Sequence, residues 1–394
     1  MGRLQFEVYD RANNSLGDIS NMALEKSYTL RLNRPSTAKF KVPSRLVSFL
    51  DAGDCCLKAR LDGNIVFNGI VWFLQDSGDE NTAYTEGIAV SPMVWWKSRF
   101  ARDGDGDFTL PDFMTVYKHG PEILQYVLRN SAAIDGSLGM AADGGAIELD
   151  GVDVTGAPVD WPISIGDLAT MLTDTGTTDV VETFVDDNDG YSPDIMSVFN
   201  AYNGFYGSDL SGSAQYDWWQ GNFNVSNVTR SIDMATICNA LWYYLGPKVS
   251  AQRWKTNITY QGNIVDPQHP LPDPPQAELD ALIEDSRARY GKFMDVRVYD
   301  TMEIEWLARK LYVKLWQTES RLRVKPRELI TVKPRPGLAP DFGLGDIIGV
   351  SAEATLRGGF DNAKQRVYEY TVSESQDGVL QTEEIVTSAD QESA

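Results

Sequence analysis

Histidine is almost missing from this chain: His119 and His269 are the only two in 394 residues. His119 lies in Lys118-His119-Gly120-Pro121, and His269 sits among prolines. Proton-transfer or Ser–His–Asp chemistry would therefore have to draw on one of two loop histidines. No HExxH, Gly-x-Ser-x-Gly elbow or dinucleotide fingerprint is present. Leu356-Arg357-Gly358-Gly359-Phe360 supplies glycines without the Lys-Ser/Thr of a phosphate loop. Cysteine is scarce too. Cys55, Cys56 and Cys238 are odd in number and two are adjacent, which excludes a disulfide framework and paired CxxC zinc spacing. They read as small buried apolar side chains in a reducing compartment. No apolar run approaches the ~18 residues of a membrane span. Leu4, Phe6 and Val8 alternate with polar residues where a signal peptide would be continuously apolar, and Phe6 stands where a myristoylation site needs Ser or Thr. The expectation is a cytoplasmically folded, soluble protein with no catalysis, cofactor, metal or membrane span.

Positive charge is the other shortage. Thirty-five basic residues face 56 acidic ones, a net charge of −21. A folded chain of this size exposes roughly 15,000 Å². One net charge then falls on roughly 700 Å², about 27 Å from the next, against a Debye length of ~8 Å. Self-repulsion is screened and oligomers are allowed, but general nucleic-acid binding lacks its neutralising surface. The run Asp103-Gly104-Asp105-Gly106-Asp107 invites a calcium reading, yet Phe108 and Met114 stand at the EF-hand glycine and bidentate glutamate positions. Asp186-Asp187-Asn188-Asp189-Gly190 fails similarly at Val185. Both read as acidic turns. The many carboxylates do not single out a glycosidase pair.

What is plentiful is apolar and aromatic. Hydrophobic residues make up 42% and the chain has ten Trp, enough for a folded core. Residues 1–100 read as short strands. Leu4, Phe6 and Val8 share a face; Tyr28–Leu32 and Ala38–Val42 alternate; Leu57–Leu61, an Asp62-Gly63-Asn64 turn and Ile65–Trp72 make a hairpin; Thr82–Val90 returns. Helical spacing follows. Pro121 and Glu122 open one stretch, Ser164–Asp167 resembles a capping box for a second, and Met234, Ile237, Leu241 and Leu245 mark a third. Residues 134–160 and 185–229 look inserted; the latter, aromatic and Gly-rich, are contact loops or strands. Five prolines between Asp266 and Pro275 predict a stiff linker. Beyond it come helices over 277–289 and from Asp300, where Ile304, Leu307, Leu311 and Leu315 share a face. Strands over 324–332 and 344–350 and a hairpin around Gln376-Asp377-Gly378 follow, and residues 388–394 read as frayed. The domains expected are 1–115, 116–265, a linker at 266–276, and 277–394.

Two surfaces stand out as candidate contacts. Arg321, Arg323, Lys325 and Arg327 alternate and would share one strand face. That face could take phosphates or an acidic neighbouring subunit, and the acidity of the chain favours the subunit. The Trp218–Trp219 pair could stack on sugar rings or anchor an interface; Trp95–Trp96 reads as core or interface.

Three features together carry a resemblance. They are the hairpin from Leu61 to Val71 with the strand ending Ile88–Arg99, the amphipathic stretch Asp300–Thr318, and Pro336-Gly337-Leu338-Ala339-Pro340-Asp341-Phe342-Gly343-Leu344-Gly345-Asp346-Ile347-Ile348 followed by a C-terminal hairpin. Over roughly 1–100 and 277–388 the chain resembles the tail-hub proteins of long-tailed bacteriophages, especially the minor tail proteins of actinobacterial phages. The resemblance implies an α+β chain with antiparallel β-barrel-like tube domains at both ends and helical and loop-rich insertions between. It implies a homotrimer whose six barrels join a sixfold tail tube and distal tail protein ring to a threefold tip. It implies a place at the virion tail tip, with tape-measure and tip or receptor-binding proteins as partners and DNA passing without specific binding. Two rival readings are a carbohydrate-binding adhesin using residues 191–223, with Trp218 and Trp219 as the glycan contacts, and a cell-wall hydrolase using two carboxylates.

Overall fold

The computed structural model describes residues 3–10, 12–78, 83–98, 140–142, 164, 166, 183–190, 197–203, 207–217, 224–245, 254–257, 276–299, 326–336, 340–352, 359, 362–375 and 377–389. Antiparallel sheet dominates them. The N-terminal strands are β1 (Leu4–Asp10), β2 (Ser15–Asp18), β3 (Glu25–Arg31), β4 (Thr37–Pro43), β5 (Cys55–Leu61), β6 (Asn64–Gly78) and β7 (Ala83–Val90). The middle supplies β8 (Met140–Ala142), β9 (Thr183–Gly190), β10 (Ser197–Asn203), β11 (Gln215–Asp217), β12 (Val225–Asp233), β13 (Ala240–Leu245) and β14 (Trp254–Asn257). Helix α1 (Gln276–Tyr290) precedes β15 (Met294–Tyr299), β16 (Arg327–Pro334), β17 (Ile347–Ser351), β18 (Ala363–Glu374) and β19 (Leu380–Ala389).

Thirteen of these strands form one sheet. Its path runs β12-β16-β19-β18-β3-β4-β7-β6-β5-β1-β2, with β17 joined to β18 and β11 to β17. The two ends of the chain meet where β18 pairs β3, Glu369 opposite Arg31 through Glu374 opposite Lys26. β11 and β12, from the stretch read as an insertion, belong to this sheet, so part of residues 185–229 is strand. Two three-stranded sheets, β8-β10-β9 and β14-β13-β15, account for the rest.

Within the large sheet one strand order occurs twice. The N-terminal set reads β3-β4-β7-β6-β5-β1 and the C-terminal set β12-β16-β19-β18-β17-β11. Each strand has its counterpart in the same chain order. Local detail repeats too. β6 bulges between Val71 and Phe73, and β18 between Val367 and Glu369. Gly53 N–H donates to Val71 O at 2.7 Å, and Gly345 N–H to Val367 O at 2.9 Å. Both glycines need positive φ, 86° and 78°, which a side chain would oppose. An aspartate follows each and then a strand begins. The sets differ at the last strand: β1 runs antiparallel to β5, β11 parallel to β17.

Alternation explains why these segments are strands. Leu4, Phe6 and Val8 of β1, Ala38, Phe40 and Val42 of β4, and Leu57 and Ala59 of β5 are buried. Ile330 and Val332 of β16, Ile348 and Val350 of β17 and Ile385 of β19 do the same in the second set, and all join one core. The facing volumes compensate. Phe40 lies against Gly87, where an added Cβ would meet the ring at 2.1 Å; the counterpart positions hold the smaller Val332 beside Ile385.

Most strand readings of the first hundred residues hold, as do α1, β16, β17 and the terminal hairpin. The helix expected over Met234–Leu245 is overturned. Asp233 caps a single turn at Met234–Thr236, but Ile237 is extended at ψ 132° and β13 follows. Trp242, Tyr243 and Tyr244 favour a pleated surface, and their strand pairs β14 and β15. The expected fraying from residue 388 is also corrected in part, since Ser388 pairs Leu329. The barrel composition at both ends takes a plainer form: a mostly antiparallel sheet, open along its ladder from β12 to β2. The helices expected near Pro121 and from Asp300, and the linker up to Pro275, lie outside the described residues; of the Ser164 helix only Gly166 is described along its course, and it is helical.

Candidate functional site

The best-built polar cluster sits at the junction of β1, β3 and β18. Lys26 on β3 is 4% exposed, and its Nζ donates to Glu374 Oε1 at 3.0 Å and to Leu4 O at 2.8 Å. Glu374, at the end of β18 and also 4% exposed, accepts from Leu4 N through Oε2 at 2.5 Å. One ion pair thus ties three strands 370 positions apart in sequence. Strand pairing positions it: Glu374 lies directly opposite Lys26 in the ladder. Further along, Thr29 and Thr371 hydroxyls meet at 2.9 Å and Arg31 Nε donates to Glu369 at 3.0 Å.

Aromatic rings continue the buried face that holds Lys26 and Glu374, while Thr29 and Arg31 lie on the opposite one. Tyr28 packs edge-on against Tyr370 at 6.5 Å, Tyr370 against Phe342 at 5.3 Å, and Phe342 against Tyr216 at 5.8 Å. The Tyr216 hydroxyl donates to Asp341 at 2.9 Å. Burial pushes both the Tyr28 and Tyr216 phenols up, Asp341 adding to the shift at Tyr216. Neither phenol ionises near neutral pH, so they act as hydrogen-bonding apolar rings.

A cleft of about 510 Å³ opens over the end of the seam, lined by Glu25, Lys26, Ser373, Glu374, Gln381 and Glu383 among others. Its cation is already taken by Glu374 and Leu4. Among the described residues no group of three or more His, Cys, Asp or Glu side chains lies close enough to hold a metal. Cys55, Cys56 and Cys238 are buried free thiols. Among the same residues, no helix is long and apolar enough to cross a membrane. The chemistry of this seam is association between strands.

Of the sequence-derived contact residues, Arg321, Arg323 and Lys325 lie outside the described residues, and so do Trp218, Trp219, His119 and His269. Arg327 is the first residue of β16, in register with Asp233 of β12. The seam itself escaped sequence reading, because Lys26 and Glu374 look like ordinary charges on alternating strands. The doubled Gly-Asp before a strand, Gly53-Asp54 and Gly345-Asp346, is the signal that could have revealed the repeat.

No family model matches the chain, and no curated protein matches it. Solved structures do. A tail protein from Neisseria meningitidis aligns over 98% of this chain and 97% of its own, with TM-score 0.55 and 12% identity. The fold is shared with phage tail proteins. The 43 kDa tail protein of prophage MuSo2 from Shewanella oneidensis aligns over 99% of both chains, with TM-score 0.55 and 10% identity. A prophage tail protein from Listeria monocytogenes covers 98% of this chain and 95% of its own, at TM-score 0.52 and 13% identity. Such low identities carry the fold and no more.

Proposed function

We propose that the chain is a structural subunit of a phage tail tip, a hub that joins a sixfold tail tube to a threefold tip around the DNA exit channel. The observation that carries this reading is the doubled strand order. A chain with two like modules side by side, taken three times, offers six like modules, which reconciles the two symmetries by repeated contacts. The tail-protein fold supports the same reading.

Side chains support a barrel-like form for each module. The start of β1 reaches β3 and β18 through Lys26 and Glu374. In the second set Asn224, next to β12, holds β11 by accepting from Asp217 N at 2.9 Å and donating to Gln215 O at 2.6 Å. In each case strands at opposite ends of the six-strand order are joined by side chains. The net charge of −21 suits a channel lining that repels phosphate. Distal tail, tape-measure and receptor-binding proteins are the partners this position calls for. The reading assigns the chain no catalysis and no cofactor. The Arg321–Arg327 stretch is a candidate subunit contact, since its last member adjoins the edge strand β12. Trp218 and Trp219, directly after β11, are candidates for a partner or glycan contact.

Gold-labelled antibody against the chain, applied to purified virions, tests the placement. Label confined to the tail tip is expected; label along the tail shaft, or none on intact particles, contradicts it.

A further inference from the structure

Large apolar side chains are exposed at seven described positions, and four of them fall on two strand edges. Trp72 and Phe73 of β6 are 44% and 46% exposed; Ile232 of β12 and the adjoining Met234 are 56% and 40% exposed. Both edges lack a ladder partner among the described residues. β5 pairs β6 only as far as Ile70, so among the described residues Phe73–Gly78 have their ladder partner in β7. β12 ends the sheet path. Unpaired, apolar edges are what soluble chains avoid unless something pairs with them.

The internal repeat says what that partner is. β6 is the counterpart of β18 and β12 of β3, and β18 and β3 are the strands joined in the seam. The shared bulge fixes the correspondence. Trp72 matches Tyr368, so Leu74 matches Tyr370 and Asp76 matches Val372. Following the ladders across β7 and β4, and across β19 and β16, matches Arg230 with Tyr28, Ile232 with Leu30 and Met234 with Leu32. In the seam Tyr370 lies opposite Leu30, each 7% exposed, and Leu32 N–H donates to Tyr368 O at 2.8 Å. The same register at the free edges sets Leu74 opposite Ile232, brings Met234 N–H to Trp72 O, and sets Asp76 opposite Arg230. An apolar pair results, and Asp76 comes to lie opposite an Arg230 that within the chain is held by Glu328 at 2.7 Å.

We propose that residues 72–78 of β6 in one copy add, antiparallel and in this register, to β12 of a second copy. The contact repeats between chains the step that β18 and β3 make within one. It is head-to-tail, and it closes into a ring when the rotation per step divides the circle. It gives the subunit reading above a defined interface and rests on that reading. Antiparallel strand addition supplies main-chain hydrogen bonds, and the side-chain pairs select the register.

Disulfide trapping tests it. The Leu74→Cys, Ile232→Cys double variant, oxidised as the assembled full chain, is expected to form bonds between chains, because directly opposed strand residues meet the Cα spacing a disulfide needs. The slipped pair Gln75→Cys, Ile232→Cys faces opposite sides and should not bond. A bond within one chain, or equal trapping of the slipped pair, overturns the proposal. Ile232→Asp, at an exposed position, should leave the circular dichroism spectrum and unfolding midpoint unchanged while weakening self-association at least about tenfold. Undiminished association of that variant also overturns it. An assembly that forms without 74–232 trapping rejects this contact and leaves the ring reading standing. A parent chain that stays monomeric at every concentration rejects both.

Discussion

At single positions the fold depends on a few groups whose removal has calculable direction. Lys26 and Glu374 are buried together, and truncating one leaves the other charge without its partner. Glu374→Ala should therefore lower the unfolding free energy by about 3–5 kcal/mol in a urea titration. Asp209 behaves differently because it is exposed. Lys364 Nζ at 2.7 Å and the Ser211 hydroxyl and N–H hold its carboxyl down to about 2. A carboxylate depressed on folding contributes stability above its unfolded value of 3.8, and that contribution fades as pH falls toward about 2. Lys364→Met should return the Asp209 titration toward 3.8, read by NMR of the carboxyl carbon. Gly207 has φ 88°, and a Cβ there would lie 2.3 Å from the Gly345 backbone. Gly207→Ala should cost at least about 1–3 kcal/mol in unfolding free energy, since backbone cannot swing aside.

Strands repeat the same logic twice, and matched substitutions expose it. Leu57 of β5 and Ile348 of β17 hold corresponding positions, and both are fully buried. Leu57→Ala and Ile348→Ala should each cost about 2–5 kcal/mol in chemical denaturation. A near-zero cost at one of them would show that the two sets are not packed alike. Strands of this kind were readable from sequence wherever one face is buried, since Phe6 and Phe40 each alternate with polar neighbours. The stretch Met234–Leu245 was misread because its apolar spacing fits a helix as well as a strand, and periodicity cannot separate them. β12 was hidden for another reason. Its inward face holds Val225 and Val228, but Ile232, Ser231 and Asp233 are all exposed, so alternation fades toward its end. The candidate site was less legible than the strands. Pairings such as Leu4 with Glu374 join groups 370 residues apart, and no local pattern encodes them.

For the molecule as a whole, the doubled strand order and a fold shared with tail proteins support the proposed ring of like modules. The N-terminal and C-terminal strand sets meet where β3 pairs β18. In the proposed ring one subunit supplies two steps, and the edges of β6 and β12, which lack a ladder partner among the described residues, take the next ones. The measurement that bears on this most directly is electron microscopy of the purified chain, with class averages computed without imposed symmetry. The expected image is a closed particle of three chains showing six lobes of similar size around a central hole. Single bilobed particles at all concentrations, or rings whose lobes do not number twice the chains, would contradict it.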